Sequence, residues 1–66
     1  MNDNVAVTVL AAQECLGTAE WCMRRSLLTD THAQATKELD SALEQLNAGR
    51  AKLLKARRML KRATPQ

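Results

Sequence analysis

Sixty-six residues and 7.3 kDa make one small domain, too short for a Rossmann unit, a barrel, a sandwich or a self-contained enzyme cleft. Thirty residues are apolar, eleven of them Ala and ten Leu; Ile, Phe and Tyr are missing, and two Gly and one Pro are too few for a turn-rich β domain. The net charge is +3, and a chain of this size rarely folds stably without a staple, a metal or a partner chain.

The first predicted element is a helix over about 5–28, for which Asp3 or Asn4 is the expected cap. The polar run Thr29-Asp30-Thr31 interrupts it. Thr31-His32-Ala33-Gln34 then has the S/T-x-x-E/Q form of a capping box, so a second helix is predicted over about 32–63, stopped by Pro65. A connection of three residues folds two such helices back antiparallel. The expected fold is therefore all-α, an antiparallel two-helix hairpin.

Heptads support the hairpin. In the first helix Val9, Leu16 and Met23 occupy a, and Val5, Ala12, Ala19 and Ser26 occupy d; in the second, a holds His32, Leu39, Leu46, Leu53 and Leu60, and d holds Ala35, Ala42, Gly49, Ala56 and Ala63. Folding the chain gives the layers Met23/Ala35, Leu16/Ala42, Val9/Gly49, Leu39/Ala19, Leu46/Ala12 and Leu53/Val5, five of the six setting a large residue against a small one, with Ser26/His32 at the turn. In that register Ala56 meets Asn2, and everything after about Arg57 overhangs, leaving Met59 and Leu60 without cover inside the chain.

A second stripe marks the back of the first helix. Val7, Leu10, Glu14, Gly17, Trp21, Arg24 and Leu28 recur at alternating spacings of three and four, away from the seam. A helix with two apolar faces buries both or presents one to a partner. Trp and Arg dominate binding energy at interfaces, so Val7, Leu10, Gly17, Trp21, Arg24 and Leu28 form the candidate partner-binding face. Trp21 is expected to be buried between chains, with dimerisation through this face into a four-helix assembly. Gly17 costs helix stability, and close approach of another backbone would offset it.

Charge is segregated along the chain. Residues 1–44 carry three cations and seven carboxylates, whereas residues 45–66 carry seven cations and no carboxylate. Arg50, Lys52, Lys55, Arg57, Arg58, Lys61 and Arg62 form a basic arm suited to nucleic acid, an acidic protein or anionic lipid. The plainer role is favourable placement of cations at a helix C-terminus. Trp21 is the sole aromatic, and no helix-turn-helix spacing or zinc finger accompanies the arm, so nucleic acid ranks behind a protein partner.

No run reaches the roughly 18 apolar residues of a membrane span. Asp3 precedes any positive segment, against a secretory leader. Cys15 and Cys22 are seven residues apart, roughly 10 Å of helical rise, too far for a disulfide. Free thiols suit a reducing cytoplasm, the expected location. The two cysteines flank the seam as small hydrophobes. His32 is the only histidine and sits at the bend; no zinc spacing and no nucleophile–base–acid set exists around it, so neither metal nor cofactor is expected and the chain reads as a non-enzyme.

With Ala19-Glu20-Trp21 late in its first helix, this two-helix layout resembles the small early proteins of transposable phages, in particular the quorum-sensing anti-activator type. Those are helical-hairpin dimers that bind and inhibit host regulators. The resemblance implies a LuxR-type transcription activator or another host protein as target, the host cytoplasm as location, and Trp21 with its stripe as the binding surface. The basic arm belongs to no part of that pattern. The alternatives are a nucleic-acid-associated protein using the arm and a structural coiled-coil subunit.

Overall fold

Ala, Leu, Glu, Lys and Arg, the strong helix formers, fill both halves of the chain, and two long helices result. The structure, a computed structural model, describes residues 3–63, the side chain of residue 63 excepted. Helix α1 spans Asp3–Leu28 and helix α2 spans His32–Ala63, and among the described residues there is no strand. Both helices begin and end within two residues of the expected limits. Asp3 and Asn4 lie inside α1 rather than capping it, because the helix starts earlier than expected; Pro65 lies outside the described residues.

The turn is built as its sequence predicts. The Gln34 backbone N–H donates to Thr31 Oγ1 at 3.2 Å, and Ala35 N–H donates to the Thr31 carbonyl at 3.0 Å. Thr31 is thus the N-cap of α2. On the other side, Thr29 Oγ1 donates to the Ser26 carbonyl at 3.2 Å, satisfying a carbonyl of the last turn of α1, and Ser26 Oγ donates to the Met23 carbonyl at 2.6 Å.

The helices pack as a hairpin of 53 × 15 × 12 Å with a radius of gyration of 15.3 Å. A compact 66-residue domain would have a radius near 11 Å. The molecule is a rod two helices wide.

The register differs from the one the sequence suggests. A Cβ built on Gly49 would lie 3.3 Å from Cys15 Cβ and 3.5 Å from the Ala12 carbonyl oxygen. Gly49 therefore meets α1 about one turn beyond Val9. The buried cluster of Ala19, Cys22 and Ala42, the Arg25–Glu38 ion pair at 3.4 Å and the Thr8–Met59 contact at 4.0 Å follow the same shift. Small residues face small residues: Val5, Ala12 and Ala19 oppose Ala56, Gly49 and Ala42, all buried. The physical reason is backbone proximity, since alanine and glycine on both sides let the helices approach more closely than a large–small layer allows.

Three expectations change with it. Large a-position residues do not fill the seam but stand on its flank, half covered. Ser26 and His32 do not form a layer; the Ser26 hydroxyl is committed to Met23 and His32 is exposed. Met59 is half-buried, and its Sδ accepts from Thr8 Oγ1 at 4.0 Å, so α2 stays covered beyond Arg57. Asn2, the expected neighbour of Ala56, lies outside the described residues, and the place opposite Ala56 is taken by Val5.

Candidate protein-binding face

Trp21 is 58 % exposed on the side of α1 turned away from α2. At 100° per residue, the stripe lies nearly opposite the contact line through Ala12 and Ala19. Val7, Leu10 and Leu28 are exposed along the same strip, with Leu28 at 82 %, and Gly17 and Arg24 complete it. The structure thus brings all six candidate residues onto one open surface.

Gly17 gives this surface its relief. A Cβ placed there would meet nothing within 4 Å, and Gly17, Glu20, Trp21 and Arg24 line a shallow depression of about 150 Å³. Arg24 Nη2 donates to Glu20 Oε1 at 2.7 Å, one turn earlier on the same helix. Both side chains are well exposed, so the pair contributes no more than about 0.5 kcal/mol to stability. In this geometry the guanidinium sits on the rim of the depression, beside Trp21. The sequence reading names Glu20 only within Ala19-Glu20-Trp21 and not among the strip residues, although its i,i+4 spacing to Arg24 signals the pair. An indole, a notch the size of a side chain and a cation on its rim can together grip an apolar anchor flanked by a carboxylate or carbonyl.

The basic arm occupies the last four turns of α2. Lys52 is half-buried; Arg50, Lys55, Arg57, Arg58, Lys61 and Arg62 are exposed, and no carboxylate of the described residues pairs with them. The arm is a solvated cationic end, separate from the Trp21 strip.

Cys15 is half-buried and Cys22 buried, both free thiols against the seam. Among the described residues no group of three or more His, Cys, Asp or Glu is placed to hold a metal ion. Nor is any helix of the described residues long and apolar enough to cross a membrane.

A further set of residues emerges only from the register. Leu16 and Met23 on α1, and Leu39, Leu46, Leu53 and Leu60 on α2, are between 37 % and 48 % exposed. Sequence reasoning placed them inside the seam. The uniformly small d rows were the signal that small would pair with small and leave these side chains outside.

Compared with known protein families, with curated proteins and with solved structures, the chain shows no match.

Proposed function

We propose that the hairpin is a non-enzymatic protein-binding module that captures a regulatory protein on the Trp21 strip of α1 and blocks it. The observation that carries this reading is the exposed Trp21 beside the open notch at Gly17, with Arg24 on its rim paired to Glu20. A chain of this size gains nothing in stability from an exposed indole and a mid-helix glycine, and an exposed Trp within an apolar strip is a feature of binding surfaces. The phage anti-activator resemblance supplies the target class, a LuxR-type transcription activator in the host cytoplasm. The working unit is a homodimer; since one strip cannot hold both a second copy and a regulator, the contact between copies falls on another face.

The test is titration of a purified LuxR-type activator with the native chain, with Trp21→Ala and with the double variant Arg57→Glu, Arg58→Glu, at low and at high salt. Capture by the strip predicts at least tenfold weaker binding for Trp21→Ala, little change for the double variant and little dependence on salt. The arm favours a second reading, nucleic-acid association, because its cations have no partners among the described residues. A labelled duplex in the same titration separates the two: binding that falls steeply with salt and is lost in the double variant points to the arm.

A further inference from the structure

The seam of this hairpin buries very little. Its core consists of Val5, three alanines of the contact line with Ala56, and Cys22; the largest side chain fully buried is Val5. The exposed surface is 5333 Å², whereas a compact 7.3 kDa monomer exposes about 4,200 Å², so the hairpin shows roughly 1,100 Å² too much. Two copies each hiding that area would bury about 2,200 Å², the size typical of obligate homodimers.

Beside the seam lies one apolar face that a second copy can cover. In an antiparallel pair, equivalent heptad positions of the two helices fall on the same side. Thr8 and Met59 meet on one flank of the seam. The large a-position residues therefore share the other flank. By the observed register Val9 is level with Leu53, Leu16 with Leu46, and Met23 with Leu39. At 100° per residue Leu16 lies about 50° around α1 from the contact line through Ala12 and Ala19, so this apolar face points toward the axis of a square four-helix bundle in which every helix touches two neighbours. The Trp21 strip lies about a further 130° on, outside such a bundle.

Charge selects the orientation. Cut at the Leu16/Leu46 layer, the open half of the rod holds seven cations against Asp3 and Glu14. The half with the turn holds five carboxylates against Arg24, Arg25 and Lys37. Copies stacked with their turns together place the strongly basic ends side by side, while copies stacked turn to open end set basic against acidic.

We infer that a second copy of this chain covers the Val9–Leu16–Met23/Leu39–Leu46–Leu53 face, stacked turn to open end, closing a four-helix bundle that leaves the Trp21 strip free. The inference does not depend on which target the strip takes. It moves the contact between copies from the back of α1 to the leucine-lined flank. In this arrangement the two-fold axis crosses the middle layer, so Leu46 meets the partner's Leu46 and Leu16 meets the partner's Leu16.

The experiment uses a chain with Cys15→Ala and Cys22→Ala, into which Leu46→Cys, Leu16→Cys or Trp21→Cys is introduced singly. Each is oxidised at micromolar concentration and its mass is read on a non-reducing gel. Sedimentation equilibrium of the native chain should give twice 7.3 kDa, and its melting temperature should rise with protein concentration, since folding and association are linked. Leu46→Cys and Leu16→Cys should each cross-link nearly quantitatively to a doubled mass, and Trp21→Cys should not. A native chain that melts cooperatively at a concentration-independent temperature as a monomer overturns the proposal. Cross-linking through Trp21→Cys but through neither leucine position overturns it in favour of a dimer on the back of α1. A Leu46→Cys and Leu16→Cys pair that cross-links only when the two variants are mixed overturns the orientation.

Discussion

The two glycines sit in nearly identical local settings, mid-helix and with ordinary helical φ, yet the structure assigns them opposite roles. Replacing either with alanine removes the same backbone entropy penalty, about 0.8–1.0 kcal/mol. At Gly17 the new methyl meets nothing within 4 Å, so Gly17→Ala should deliver the full gain. For a domain of this size that raises the melting temperature by about 4–8 °C. At Gly49 the methyl would lie 3.3 Å from Cys15 Cβ and 3.5 Å from the Ala12 carbonyl oxygen. Neither atom is the end of a flexible side chain, so α1 itself must move away by a few tenths of an ångström. Lost packing along the seam then offsets the propensity gain, and Gly49→Ala should leave stability near its native value. Gly49→Leu should cost about 1–3 kcal/mol at least. Urea or thermal unfolding followed by circular dichroism, at matched protein concentration, measures all three. Equal stabilisation by Gly17→Ala and Gly49→Ala would refute the close small–small seam. Because Gly17→Ala also fills the notch beside Trp21, it should weaken target capture while strengthening the fold, a split that an ordinary stabilising substitution does not produce.

Thr31→Ala removes the hydroxyl that accepts from Gln34 N–H, and should lower stability by about 1 kcal/mol, read as a shift in the urea midpoint. Ala42→Leu places a large side chain against Ala19 and Cys22 and should cost about 1–3 kcal/mol; a rise in melting temperature would contradict the register. Arg57→Glu with Arg58→Glu changes two exposed side chains, and far-UV circular dichroism should report unchanged helicity. Arg25→Ala breaks a cross-helix pair whose Glu38 is 17 % exposed, and should destabilise the turn end by less than about 1 kcal/mol, with the difference shrinking as salt is added.

Local chemistry settled the elements. Helix-forming residues throughout, a polar break at 29–31 and a threonine three residues before Gln34 are enough to place α1, the turn and α2, because capping and propensity act over one turn of chain. The back stripe of α1 was legible for a related reason. Its spacing keeps Val7, Leu10, Trp21 and Leu28 on one side of a single helix, and in the structure that side is open. Which residues meet across the hairpin was not legible. The heptads allow Val9 or Ala12 opposite Gly49, and the choice rests on how closely two backbones can approach, a property of both helices together. Once small faces small, leucines that periodicity alone assigns to the core become a half-exposed face, and Met59 gains cover from Thr8. The sequence determined the helices and the strip by itself; the tertiary structure decided the register, and with it which leucines remain outside, because interhelical distance is fixed by the residues that touch rather than by the pattern along either chain.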